Sequence, residues 1–238
     1  MRHRFLASRG PIATCPLVTA LTTVTLRGPL PVVLKVRRPI DRWQVAELEN
    51  AAWAEARWFT DLEAHWLATA RHPGVVRLRR VWTEQATLET ELGGPATLRT
   101  AVLTPGAILG TLAAVATTLA AVHQRGLVHA NVAPEHVIVD PARPDEPLLC
   151  SPAPWASETG HHPEPGDDLD GLVAMADALG PRPRDGFVSP VRSREQAWQH
   201  LVAQLADCHD ATDAARILGR ALPTGRRWRP PARRRWQP

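Results

Sequence analysis

Tyrosine is absent from the 238-residue chain, phenylalanine occurs 3 times, and of 28 basic residues only Lys35 is a lysine. Cysteine is scarce as well. Cys15, Cys150 and Cys208 are odd in number and far apart, which argues against a disulfide framework or a zinc site and points to a reducing cytosol. No apolar run is long enough to span a bilayer: the best, Ile108 to Val122, is 15 residues interrupted by threonines. Arg2, Arg4 and Arg9 are followed by no seven-residue apolar run before Pro11 and Pro16, so a secretory signal is not expected. Acid is missing from one stretch in particular. Residues 226–238 hold 6 arginines and neither Asp nor Glu, so residues 1–225 carry the other 22 basic groups against all 24 acidic ones. The body is near neutral and the tail is basic.

What is present suffices for a folded core. Apolar residues make up 44% of the chain and charged residues 22%, the balance of one globular domain or two closely packed lobes and not of a disordered chain. Abundant Ala, Pro and Arg suggests a GC-rich coding background, which accounts for much of the arginine.

The periodicity changes along the chain. LVTALTTVTL, a turn at Arg27-Gly28-Pro29 and PVVLKV predict a β-hairpin over residues 17–35. From Trp43 to Ala70 the pattern is helical, with Phe59, Leu62, Trp66, Leu67 and Ala70 on one apolar face. His72-Pro73-Gly74 ends that helix. Two short strands, VVRLRRVW and ATLETEL, lead to Gly93-Gly94-Pro95. Beyond lies a helix from Ile108 to His123, a β pair (HVIVD at 136–140, PLLC at 147–150), a Pro-rich loop at 151–166, and helices at 168–179, 195–205 and 213–222. Strands first and helices afterwards predict an α+β protein of two lobes.

In order and spacing these motifs resemble a protein kinase of the bacterial Ser/Thr type, over most of residues 6–222. V-V-L-K (32–35) resembles the strand whose lysine pairs with nucleotide phosphates and a helix glutamate, and Glu63 stands where that glutamate would be. R-H-P-G-V-V-R-L (71–78) is similar to the passage from that helix into the next strand. T-E-L-G-G-P-A-T-L (90–98) resembles the hinge, with Thr90 as gatekeeper and Glu91 and Leu92 beside the nucleotide. Residues 119–140 resemble the catalytic loop and its flanks. His129 and Asp168 match positions that brace the loop from below. The resemblance implies a β-rich lobe over 1–92 with one main helix, a compact and mostly helical lobe over 93–222 with a shortened activation segment, and a tail at 223–238.

The same resemblance shows where the chemistry departs. H-R-D-L-x-x-x-N is replaced by His129-Ala130-Asn131-Val132-Ala133-Pro134-Glu135-His136. Asn131 cannot accept a hydroxyl proton as the base aspartate would. His136 is a poor magnesium ligand in place of asparagine. Ala133 removes a cation near the transferred phosphoryl group. The metal aspartate of D-F-G becomes Ser151. Of the glycine-rich loop only Gly10 survives in Gly10-Pro11-Ile12-Ala13-Thr14-Cys15, and Pro11 and Pro16 remove two amides. Only 16 residues separate Ser151 from Asp168, too few to hold a peptide substrate in the usual manner.

The expectation is therefore a pseudokinase: a cytoplasmic regulatory or scaffolding module that binds another protein through the helix at 43–70, the loop at 151–167 or the tail. The alternative is a divergent phosphotransferase or nucleotidyltransferase in the same cleft. Lys35, Glu63, Gly10, Glu91 and Leu92 would line a vestigial nucleotide site. No metal is expected, His136 and His161-His162 lacking ligand spacing, and no cofactor, although ATP without magnesium stays open. Ser151 and Cys150 have no identifiable base to make them nucleophiles. The tail R-R-W-R-P-P-A-R-R-R-W-Q-P suits nucleic acid, an anionic membrane or an acidic protein surface, and equally a solvated end.

Overall fold

A computed structural model of the chain describes residues 22–27, 30–36, 46–154, 162–180 and 190–222. Gly10 and its loop, the middle of the 151–167 loop and the tail lie outside the described residues.

Threonine and valine alternation in T-T-V-T-L-R gives strand β1 (Thr22–Arg27), which pairs antiparallel with β2 (Leu30–Val36), Thr22 opposite Lys35 and Arg27 opposite Leu30. Helix α1 (Ala46–Ala70) follows, then β3 (Leu78–Trp82) and β4 (Thr87–Glu91). The sheet order is β1-β2-β4-β3, with Lys35 opposite Leu88 across β2 and β4. α1 packs on β3 and β4.

The face that α1 buries matches the expected one only in its C-terminal part. Phe59 and Leu62 are only half-buried, while Ala56, Thr60, Glu63 and Ala64 are buried with Trp66, Leu67 and Ala70. The stripe is rotated because Glu63 must face the sheet to reach Lys35, and an apolar count cannot register a buried carboxylate. At its C-terminus the orphan carbonyls are capped by arginines: Arg71 Nε donates to Ala68 O at 2.9 Å, and the Arg125 guanidinium donates to Ala70 O. The His72-Pro73-Gly74 turn then docks onto a later strand, with Val76 N donating to Leu149 O at 3.0 Å and Leu149 N to Gly74 O at 2.8 Å. Gly74 is required for this approach, since a Cβ there would stand 2.0 Å from Thr118 Oγ1.

A second sheet, β5 (Ala96–Thr97), β6 (Val137–Asp140) and β7 (Arg143–Leu149), is antiparallel in that order. β5 and the first four residues of β7 lie outside the strands that the alternation predicts. Helix α2 (Pro105–His123) opens with Pro105 at its first position and the Thr104 hydroxyl accepting from Ala107 N. By length and composition α2 is apolar enough to cross a membrane, yet 56% of that window is buried in the protein, where it packs against β7 and α5. That is the setting of a core helix. Helices α3 (Pro165–Leu179), α4 (Pro190–Ala206) and α5 (Ala211–Ala221) complete the fold. Trp198 of α4 donates its indole N–H to Ala176 O of α3 at 3.0 Å. The core is centred on α2, with Leu112, Leu119 and Val122 fully enclosed beside Leu149, Leu172 and Leu218.

Candidate functional site

Two chains of contacts meet at the segment 128–136. The first starts from Lys35 on β2. Its Nζ donates to both carboxylate oxygens of Glu63 on α1, at 3.0 and 2.9 Å, and to Ser151 Oγ at 3.1 Å. The ammonium has three N–H donors, and these contacts account for all of them. The Lys35 side chain is 17% exposed and that of Glu63 3%, so the pair stands mostly out of water.

Ser151 lies two residues beyond the end of β7 and has φ +57°, the left-handed region that costs a non-glycine residue about 1 kcal/mol or more. Its surroundings hold it there from both ends: Lys35 donates to its hydroxyl, and Asn131 Nδ2 donates to its carbonyl at 2.9 Å. His136 Nδ1 in turn meets Asn131 O at 3.0 Å. Ala133 and Pro134 open the short 3₁₀ turn Pro134–His136 that carries His136 into β6.

The second chain is organised by Asp168 near the start of α3, which has no solvent exposure. Its Oδ2 accepts from His129 N at 2.8 Å and its Oδ1 from Ala130 N at 2.6 Å, while His123 Nε2 meets Oδ2 at 2.8 Å. Ala130 also has φ +57°; the carboxylate stabilises that turn by taking both consecutive amides. α3 presses closely on the loop at Gly171, where a Cβ would stand 2.6 Å from Val132 O.

His129 is fully buried, with Trp66 edge-on at 5.4 Å between ring centroids. Neither ring nitrogen makes a well-formed hydrogen bond; the Cys150 backbone is close without closing one. Burial pushes its pKa down to about 4, against a smaller opposing pull from Asp168. Between about pH 6.5 and 4 the unfolded chain therefore binds a proton that the folded chain refuses. The neutral ring's contribution is complete above pH 6.5 and is lost as pH falls towards 4, about 3 kcal/mol in all. Urea unfolding across this range should show that acid loss in the wild type and a flatter profile in His129→Leu; identical slopes would refute the assignment. Cys150 is half-buried, and that burial pushes its thiol up to about 11, which leaves it protonated and unreactive at neutral pH.

The structure thus brings Lys35, Glu63, Ser151, Asn131 and His136 into one connected set, and His129 with Asp168 into another. Glu91 and Leu92 sit at the end of β4 and just beyond it. The Glu91 carboxylate is engaged by Arg77 at 3.6 Å and by Arg79, away from the Lys35 group's hydrogen bonds. Gly10 is not among the described residues. Sequence reasoning missed His123 as a partner of Asp168 and Trp66 as a partner of the loop, its indole donating to Val128 O at 2.8 Å. A histidine in the last turn of an otherwise apolar helix was the available signal, since it needs a polar partner once buried.

The donor set fits magnesium poorly. The contacts gather an amide, an imidazole and a hydroxyl, with the only buried carboxylate of the group, Glu63, already held by Lys35. Magnesium is usually held through carboxylates and phosphates.

No protein-family model matches this chain, and no curated protein does. Among solved structures it is similar to "PpkA-294 apo form", of a bacterial Ser/Thr kinase, with a TM-score of 0.59 and 15% identity over 87% of this chain and 93% of that one. At that identity the likeness is one of fold: mixed α/β, with small antiparallel sheets and five described helices arranged in a kinase-like manner.

Proposed function

We propose that the chain is a kinase-like module that has given up phosphoryl transfer and works as a regulatory or scaffolding binder of another protein. In this reading residues 1–92 and 93–222 are the two lobes, the segment after Ser151 is a remodelled activation segment, and the protein acts in the cytoplasm. One observation carries the reading: the Lys35 ammonium is spent on Glu63 and on the neutral hydroxyl of Ser151. Transfer depends on neutralising charge on the phosphoryl oxygens by metal and lysine together. Here the metal-ligand positions hold Ser151 and His136, and the base position holds Asn131, whose amide braces Ser151 instead.

Incubated with labelled ATP and magnesium, the wild type should match Lys35→Ala, with no phosphate on itself or on generic protein substrates. Magnesium-dependent transfer that Lys35→Ala abolishes would overturn the proposal and favour the divergent phosphotransferase or nucleotidyltransferase. A thermal-shift titration with ATP in magnesium and in EDTA separates the remaining cases. Equal responses are expected; a shift that needs magnesium would show that a metal site survives.

A further inference from the structure

We propose that the outer face of α1 is a homodimer interface, packing antiparallel against the same face of a second copy of this chain. The inner face is accounted for, since Ala56, Thr60, Glu63 and Ala64 are buried against the fold. On the other side the helix carries Glu55, Trp58, Leu62, His65 and Thr69, at successive intervals of 3, 4, 3 and 4 residues. That is the spacing of a coiled-coil seam, with Glu55, Leu62 and Thr69 in one class of position and Trp58 and His65 in the other. Buried Thr60 points directly away from this seam, so the seam faces solvent.

The centre of the seam is apolar and open. Trp58 is 54% exposed, whereas Trp66 and Trp198 in the core are 2% and 6% exposed. Phe59 lies against it with ring centroids 4.9 Å apart, and Leu62 is only half-buried. An aromatic side chain held open beside further apolar surface has the make-up of an interface anchor.

The polar members of the seam indicate that the partner is a second copy. In an antiparallel pair each class of seam position meets the other class across the two-fold axis. If Trp58 lies on Leu62 of the second copy, Glu55 falls opposite His65 of that copy, because the two pairs share one midpoint. A carboxylate thus meets an imidazole twice, once on each side of the axis. Both side chains are exposed, and neither has a hydrogen bond or ion pair among the described residues. A parallel pair would instead set Glu55 against Glu55. Asp61 flanks the seam near the axis, where its carboxylate accepts from the Thr83 hydroxyl at 2.7 Å. The dimer would therefore press on the outer side of the helix whose inner side holds Glu63 against Lys35. None of this depends on whether the kinase-like cleft transfers phosphate.

The test is sedimentation equilibrium of the full chain at pH 7, from about 1 to 300 μM. A reversible monomer–dimer equilibrium is expected. Trp58→Ala should weaken association by about 30-fold or more. Glu55→Lys and His65→Glu should each weaken it by about 10-fold, since every pair occurs twice. Together, Glu55→Lys with His65→Glu should restore association to within about 3-fold of the wild type, which only the antiparallel register allows. Urea midpoints of the variants should match the wild type because the altered side chains are exposed; if Trp58→Ala lowers the midpoint, the charge variants alone decide. A monomer throughout the range, a dimer that a folded Trp58→Ala leaves intact, or charge losses that add instead of cancelling would each overturn the proposal.

Discussion

Asp168→Ala should be among the most damaging single substitutions in the chain, lowering unfolding free energy by about 4–6 kcal/mol and unfolding a molecule of ordinary stability near room temperature. The carboxylate is completely buried and serves two backbone amides and the His123 imidazole. Hydrogen bonds to a charged group are worth about 1.5–3 kcal/mol each, and the donors left behind cannot turn to water. Ala130 would also lose the acceptor that holds its left-handed turn. Asp168→Asn keeps one acceptor oxygen but presents an amide donor to an existing donor, so an intermediate loss of about 2–3 kcal/mol is expected. Urea unfolding measures both. Stability of Asp168→Ala within 1 kcal/mol of wild type would mean that this carboxylate is not the brace its contacts indicate.

The second large effect concerns Lys35 and Glu63, and it should be visible with no nucleotide present. Lys35→Met leaves the Glu63 carboxylate in a nearly dry site without its cation, and Glu63→Leu does the converse to the ammonium. Breaking one side of a buried pair costs about 3–5 kcal/mol; the partial exposure of Lys35 moderates this to about 2–3 kcal/mol. The double variant should recover much of the loss, because two apolar side chains of suitable volume remove the desolvation cost along with the attraction. A double-mutant cycle on urea midpoints reads the coupling directly. Additive losses would show that the two residues do not stabilise each other, and the contact would then have to be explained by ligand binding.

What the sequence made legible, and what it hid, follows from how each feature is encoded. The hairpin β1–β2 was readable because β-branched runs flank a turn at Gly28-Pro29, and the long helices because their apolar periods are sustained. β5 has two residues, too few to carry a period at all. The acidic and proline-containing start of β7, Arg143–Glu146, reads as a loop because its solvent side needs no apolar residues. Lys35 and Glu63 stood out through their spacing to recognisable motifs. The bond from Lys35 to Ser151 could not, since it spans 116 positions and involves a hydroxyl that sequence treats as neutral filler. An apolar stripe leaves Glu63 out of the buried face of α1, and only its spacing to the motifs places it there.

The attachments at the C-terminal end of α1 have a mechanical consequence. The Trp66 indole on Val128 O and the Arg125 guanidinium on Ala70 O anchor one end of a 25-residue rod to the loop that carries Asn131. Ala46 lies about 30 Å along the axis from that anchor, whereas Glu63 lies only about 5 Å from it. A tilt of about 10° about that anchor would move Ala46 about 5 Å and Glu63 about 1 Å. α1 is therefore a lever with unequal arms: large travel at Ala46 corresponds to a small displacement beside Lys35 and Ser151.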